Sequence, residues 1–551
     1  MGILGLFMSS VLVIASQSGG AVTQSDKDSE KSEKSEAAIT AGTSESDNSD
    51  KKTVGDSVKK SAEEKHQSDL KDAKMYTELR NRISRLEELL NKNKKSELKT
   101  VVTEKPVKAS EKFNGFRFGS YGRVNFGRNM DGEPIYPVNI TAHAPRLEES
   151  SYVELDLYYY HRFEGDILTK TVTTLALADS LFHYNGTWDS SIAVRNLYLE
   201  VKKSGLEGLS FWAGSRMYRG DDIYLLDFWP LDNLNTLGAG IWWDKKPLRG
   251  GIHVGINRVL GKFQYQESSV ETPYVGSESI PTLNRQRTIA SAKLEYWNQN
   301  KGSMGFKVKG YAEFHSLAAG TYNALEDQPE QIALPSETGF VAGIQFGIWD
   351  FMPKSFVNVF ARYSTGIASY GEFSTPFGLG FEQDLDSSYS AKNAKEFVIA
   401  ATGNIKFGSH VSLMFGGYFR NFIDADSLDY DWDDGYEIVF AARPIYWMPG
   451  EWGRNLALSG EVSYQMTERN GLNPDTGVSA HPSVWKFSII PTWFSSRTSY
   501  SRPAIRLVYT VAMPDDDARL WYHEKDYRRS RSVEHFIGIQ AEWWFNSSTY
   551  N

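Results

Sequence analysis

The chain contains no cysteine. Disulfide frameworks and thiolate metal sites are therefore impossible, and so is a lipid-anchored terminus that needs cysteine at its cleavage point. A basic balance is missing as well: 60 Lys and Arg against 69 Asp and Glu leave a formal charge of −9. Nucleic-acid binders normally present a basic face to phosphates, so that class of partner is excluded. After the first residues no stretch is long and apolar enough to cross a bilayer as a helix. The ten histidines form no H-E-x-x-H or other paired metal spacing, a Gly-x-Ser-x-Gly elbow is absent, and no acidic cluster has a partner that marks it as acid and base. Nothing points to an enzyme or to a cofactor. What the chain has in excess is aromatic side chains, 13% of its 551 residues, with 29 Tyr and 15 Trp.

Three regions precede the bulk of the chain. Residues 1–21 open with M-G-I-L-G-L-F-M-S-S-V-L-V-I-A-S and pass to small residues at Ser18, Gly19, Gly20 and Ala21, the pattern of an export signal. No Lys or Arg precedes the apolar run, and an uncleaved anchor is the alternative, although the run falls short of the ~20 residues a spanning helix needs. Residues 22–67 are Ser, Asp, Lys and Glu with almost nothing to bury, as in K-D-S-E-K-S-E-K-S-E, and are expected to be disordered. Within 68–98, Tyr76, Leu79, Ile83, Leu86 and Leu90 recur at spacings of three, four, three and four, an a/d seam. So short a seam is marginal alone and needs partner strands held together by something else. An amphipathic helix packed on its own domain is the rival, but the flanking segments offer nothing to pack against.

From 113 to 551 the texture changes to short alternating runs separated by Gly, Asn, Asp and Pro. In H-F-I-G-I-Q-A-E-W-W-F, Ile537, Ile539, Ala541, Trp543 and Phe545 fall on one face, and Gly538, Gln540, Glu542 and Trp544 on the other. In Y-V-E-L-D-L-Y-Y-Y, Tyr152, Glu154 and Asp156 oppose Val153, Leu155 and Leu157. Both are half-apolar strands. A water-soluble barrel would turn the apolar face inward; an outer-membrane barrel turns it to lipid and keeps a polar interior. Export signal, absent cysteine, absent helical span and abundant Trp and Tyr for interfacial girdles favour the membrane. The expected fold is all-β, a transmembrane antiparallel β-barrel of about 18 strands, reckoned at ~24 residues per strand and connection. Such a barrel leaves an aqueous lumen that a folded-in loop must narrow if it is to discriminate among solutes.

One segment has the composition for that task, F-W-A-G-S-R-M-Y-R-G-D-D-I-Y-L-L-D-F-W-P-L-D over 211–232. It resembles the strand and constriction loop of maltoporin-type sugar porins. F-G-S-Y-G-R at the first strand, S-R-P-A-I-R near the end and Q-A-E-W-W-F as closing strand are similar to family segments in the same order. The resemblance implies an aromatic path along the lumen, flanked by ionisable groups that hydrogen-bond sugar hydroxyls. Tyr121 falls where a slide aromatic sits, with Arg123 on the polar track, and Tyr152 and Glu154 repeat that pairing. Arg146 and Arg195 match lumen arginines, and Trp188 resembles the tryptophan that reaches into the neighbouring subunit's mouth. Asp222 and Asp227 match the polar track, Trp229 the narrowing aromatic, and Tyr500 and Trp544 complete the path. The chemistry suits a pyranose, whose ring faces are apolar and whose equator carries hydroxyls. Gly220 stands where the family often has a pore arginine, and N-S-S-T-Y-N extends beyond Phe545, where such chains usually end.

The resemblance implies a homotrimer in outer-membrane lipid that passes oligosaccharides or disaccharides by facilitated diffusion. Its amino-terminal coiled coil, as in sucrose porins, would lie in the periplasm and recruit a periplasmic sugar-binding protein or reinforce the trimer. The rivals are a structural tether working through the coiled coil, an outer-membrane enzyme, and a general or anion-selective porin. The last would line its constriction with lysine, and residues 216–232 contain none.

Overall fold

The computed structural model describes residues 114–133, 136–179, 191–203, 205–258, 264–274, 276–299, 303–323, 331–369, 390–423, 434–451, 453–470 and 477–549. The export signal, the polar segment expected to be disordered, the coiled coil and Trp188 lie outside the described residues. Eighteen strands form one antiparallel sheet. They are β1 (Gly115–Arg128), β2 (Ser151–Phe163), β3 (Ile167–Asp179), β4 (Ser191–Lys203), β5 (Leu209–Arg219), β6 (Asn233–Lys245) and β7 (Leu248–Asn257). After a hairpin of β8 (Tyr265–Thr272) and β9 (Gly276–Asn284) come β10 (Arg287–Gln299) and β11 (Gly305–Leu317). A second small hairpin, β12 (Gly320–Asn323) and β13 (Gln331–Leu334), precedes β14 (Glu337–Trp349), β15 (Phe356–Gly366), β16 (Lys395–Phe407) and β17 (Val411–Ile423). The wall ends with β18 (Gly435–Trp447), β19 (Leu456–Arg469), β20 (Ser483–Phe494), β21 (Ala504–Pro514) and β22 (Glu534–Phe545).

Each wall strand pairs with the next, and β22 returns to β1 with Ser120 opposite Phe545 and Arg128 opposite Ile537. The sheet is therefore a closed barrel without edges. Its connections alternate in length: three and two residues, 164–166 and 246–247, join strands at one end, whereas Arg128 and Ser151, and Gly366 and Lys395, are joined by much longer stretches of sequence at the other. That asymmetry is the one expected of outer-membrane barrels.

The period of two decides which face meets what. Along β20, Trp485, Phe487, Ile489 and Trp493 are exposed, while Lys486, Ser488 and Thr492 between them are buried. On β22, Ile537, Ile539 and Phe545 are exposed outward and Gln540 and Glu542 are buried inward, as the alternation required. On a water-soluble domain so continuous an apolar exterior would be a liability; around a barrel it is the lipid-facing band. The inner wall carries its charges in cross-strand pairs: Arg362 and Arg420 lie 2.9 and 2.7 Å from Glu396, and Arg443 lies 2.7 Å from Glu461.

One irregularity breaks the period. Thr174 pairs with Asn196 but Leu175 pairs with Val194. Arg195 is the extra residue of a β-bulge, so Arg195 and Asn196 both reach the lumen although they are consecutive.

A wholly polar interior is not what the fold contains. The loop between β5 and β6 crosses the lumen and buries Ile223, Leu225, Leu226, Phe228 and Leu231 against Phe360, Val398, Met414 and Val439 of the wall. A Cβ on Gly416 would collide with Ile223, and one on Gly343 with Leu231. Both wall glycines are sockets for loop side chains. A fully buried Ile or Leu contributes about 1.5–3 kcal/mol, so this apolar plug helps to pin the loop across the barrel.

Candidate functional site

The site begins with that loop. It leaves β5 at Arg219, makes a 3₁₀ turn over Tyr224–Leu226 and joins β6 at Asn233. Its four aspartates divide into two pairs with different work. Asp221 and Asp232 fasten the loop to the wall. Lys307 lies 2.7 Å and Lys309 3.4 Å from Asp221, which also accepts a 2.9 Å bond from Gln345. Fully buried Asp232 lies 3.0 Å from Lys293 and 3.5 Å from Lys309. Burial by itself would raise the Asp221 carboxyl, but Lys309 and Lys307 hold it well below the usual carboxylate range. No lysine occurs in the loop, yet three from β10 and β11 converge on it. Their alternation with apolar neighbours, as in F-K-V-K, was the available signal.

Asp222 and Asp227 belong to the open side. Asp227 adopts the left-handed conformation, φ 49°, which Asp tolerates better than most residues. Its carboxylate lies 3.6 Å from Arg146 and 3.8 Å from Arg123. Burial would raise its pKa; Arg146 and then Arg123 outweigh that, and the net direction is down. Asp222 goes the other way. Its carboxyl is pushed up to about 7, first by burial and then by the neighbouring Asp227 carboxylate, and its Oδ2 has no hydrogen-bond partner.

The sequence-derived residues of β1, β2 and β4 form one cluster. Tyr121 and Tyr152 have ring centroids 6.0 Å apart. Arg123 pairs with Glu149 at 2.7 Å. Arg146 donates to the Tyr121 hydroxyl at 2.5 Å and to the Tyr224 carbonyl at 3.2 Å. Tyr152 donates to Glu154 at 2.6 Å, and Arg195 reaches both the same carboxylate, at 2.6 Å, and the Tyr152 hydroxyl. The bulge thus completes the Tyr152–Glu154–Arg195 triad.

A second cluster lies at the barrel closure. Tyr500 and Trp544 stand 5.6 and 6.1 Å from the ring of Tyr224, and Phe356 follows Tyr500 at 5.7 Å. Tyr224 is one of the residues that sequence reasoning missed, with Glu542, Arg502 and Arg506. Its hydroxyl donates to Glu542 at 2.5 Å and accepts from Arg502 at 2.5 Å and Arg506 at 3.3 Å. Arg502 also lies 4.3 Å above Trp544. The signal was present: Glu542 shares the polar face of Trp544, and Arg502 and Arg506 are the arginines of S-R-P-A-I-R.

Four of the expected residues are buried, Glu154 at 1% and Arg146 at 4% exposed among them. Trp229 is only 7% exposed, with the Arg219 guanidinium 3.8 Å above its ring, and Tyr121 is 3% exposed. Gly220 also finds its reason, because a Cβ there would fall on the Asp232 carboxylate. An arginine at that position is incompatible with the clasp.

The family model described as LamB porin matches residues 116–545. Among solved structures, OccD3 (OpdP) of Pseudomonas aeruginosa shares 9% identity, with 78% of this chain and 91% of that chain covered and a TM-score of 0.37. The outer membrane channel DcaP of Acinetobacter baumannii shares 12% identity over 78% and 98% of the two chains, TM-score 0.40. OmpT of Vibrio cholerae, an outer membrane protein described in a trimer form, shares 11% over 78% and 100%, TM-score 0.35. All three likenesses are remote.

Proposed function

The chain belongs to the LamB porin family, an outer-membrane channel family, and from that premise we propose that it is a carbohydrate-selective channel. Oligosaccharides or disaccharides pass by facilitated diffusion along Tyr152, Tyr500 and Trp544, with Glu154, Arg195, Asp222, Asp227, Arg123 and Arg146 exchanging hydroxyl contacts. The observation that carries this reading is the interleaving of the two aromatic clusters with arginine–carboxylate pairs on both sides of one lumen-crossing loop. Aromatic planes hold the sugar's C–H faces while charged forks bind its equator. Conduction requires several weak sites in series, which sets the affinity near the millimolar range or somewhat tighter, about −4 to −6 kcal/mol.

A general anion-selective pore would present free lysines. Lys293, Lys307 and Lys309 instead sit within 4 Å of loop carboxylates, which supports the selective reading. The homotrimer, the contact of Trp188 with a neighbouring subunit, and a periplasmic coiled coil that recruits a sugar-binding protein or reinforces the trimer complete the proposal.

The test is conductance in a planar bilayer, titrating maltose, maltotriose and sucrose, with Tyr152→Ala and Trp544→Ala in parallel. Saturable block by one sugar, weakened in both variants, is expected. Current indifferent to every sugar would refute the selectivity and return the chain to the general-porin class.

A further inference from the structure

Beyond the aromatic path, the wall of β4, β5, β6 and β10 carries a polar cavity of about 160 Å³ that contains no carboxylate in its lining. Three cations border it: Arg216, Arg219 and Lys293. Two are committed, since Lys293 pairs with Asp232 at 3.0 Å and Arg219 donates to Asn233 at 2.7 Å while covering Trp229. Arg216 is different. Its guanidinium carbon lies 4.7 Å from the ring of Tyr198, 5.0 Å from Trp212 and 5.4 Å from Tyr218. Three rings thus surround the guanidinium carbon, and all the N–H donors lie at the edge of the group. Its buried Nη1 has no hydrogen-bond partner, and among the described residues no carboxylate lies within ion-pair distance. Nearby Glu200 is taken by Lys202 at 3.2 Å.

The other side of the cavity comes from the residues after β22. Asn546 turns in the left-handed conformation, φ 46°, and sends the chain into the lumen. Ser548 then donates from its backbone N–H to Asp156 at 2.8 Å, and Thr549 donates to Glu154 at 2.6 Å. A Cβ on Gly119 would strike the Asn546 carbonyl, so the first strand leaves room for this path. Ser548 and Thr549 face the cavity with Tyr218 and Trp242.

We propose that this cavity is a subsite for an acidic sugar, in which the free edge of Arg216 binds a carboxylate or phosphate on the sugar while Tyr218, Trp242, Ser548 and Thr549 hold its ring and hydroxyls. The class follows from the chemistry. A fork of donors with no acid to satisfy it matches a planar or tetrahedral oxyanion bidentately, and the adjacent aromatics and hydroxyls suit a pyranose better than a bare ion. The inference rests on the sugar-channel reading and narrows its substrate class.

The experiment measures block of the full-length channel by digalacturonate, glucose 6-phosphate, maltose and inorganic phosphate, in wild type, Arg216→Gln and Arg216→Lys. Digalacturonate or the sugar phosphate is expected to bind more tightly than maltose; whichever does identifies the anionic group. Arg216→Gln is expected to weaken that binding about tenfold or more, as the loss of a hydrogen bond to a charged group implies, with maltose changed less than twofold and Arg216→Lys intermediate. Equal loss for maltose and the acidic sugar, or no preference for acid in wild type, overturns the subsite. Inorganic phosphate binding as tightly as both acidic sugars also overturns it, as a site for an ion only. Block by maltose without any acid preference leaves the sugar-channel reading standing and removes only the subsite. Arg216-dependent block by an acidic sugar without any by maltose does the reverse for neutral substrates.

Discussion

Replacing Asp232 by Ala isolates the clasp that holds the lumen loop. Asp232 is fully buried, with ammonium groups at 3.0 and 3.5 Å. Lys309 keeps Asp221 and Glu295, both at 3.4 Å, but Lys293 loses its one close carboxylate and stays buried against Tyr218 and Trp242. Removing one partner of such a pair costs about 3–5 kcal/mol. At about 1.4 kcal/mol per tenfold, the docked-to-undocked ratio of the loop falls by about two to three and a half decades. The closed wall does not depend on this pair, so the loss appears as loop release and not as unfolding. In single-channel recordings Asp232→Ala should show a frequent high-conductance substate that wild type rarely visits. Adding Lys293→Met removes the orphaned charge and should recover most of the wild-type trace. A double variant as leaky as Asp232→Ala, or a single variant with the wild-type trace, would refute the clasp.

Three further outcomes follow from the same geometry. Gly416→Val drives a side chain into Ile223 and should raise conductance, whereas Gly460→Ala, whose Cβ would meet its nearest neighbour at 3.6 Å, should leave the trace unchanged. Tyr224→Phe leaves Glu542, Arg502 and Arg506 without their shared hydroxyl and should weaken loop docking by about 1–3 kcal/mol, read as faster protease cleavage between 219 and 232. Asp222 is protonated below about pH 7 and ionises above it, so the cation-to-anion permeability ratio should rise between pH 6 and 8 and stay flat in Asp222→Asn. Because docking raises that pKa above the ordinary carboxylate value, the docked loop loses stability as pH rises from about 4 to about 7 and levels off above it.

Much of the architecture was legible because a barrel strand has a period of two and one face must be apolar. The faces of β2 and β22 came directly from that constraint, and the strand count from the length of the alternating region at ~24 residues per strand and connection. Local segments also read well: Tyr121 with Arg123, and Tyr152 with Glu154, share a face because they are two residues apart. What stayed hidden depends on contacts between distant positions. Lys307 and Lys309 look like ordinary polar-face residues until β11 brings them to Asp221. Tyr224 looks like one more loop aromatic until β21 and β22 surround its hydroxyl. The apolar residues of the loop were invisible as a core, since nothing local says that Ile223 meets Gly416. Trp229 stands out by size alone, but its burial is decided by Arg219. The bulge at Arg195 has no local signature either, and it decides how two consecutive residues point.

The closure of the sheet has a consequence for the order of assembly. Its last seam joins β1 to β22, so the strands that meet there are the first and the last of the barrel; Trp543 donates to Ser120 across 423 residues of sequence. Contacts that distant form late, after loop-closure entropy has been overcome by the local hairpins. Residues 546–549 then act beyond the seam. Asn546 bonds the Phe118 carbonyl on β1 and accepts from Tyr158 on β2, while Ser548 reaches Asp156 on β2, Thr174 on β3 and Asn196 on β4. The segment is a latch: it engages with the first and last strands side by side, and it ties residues 546–549 to three strands past the joint.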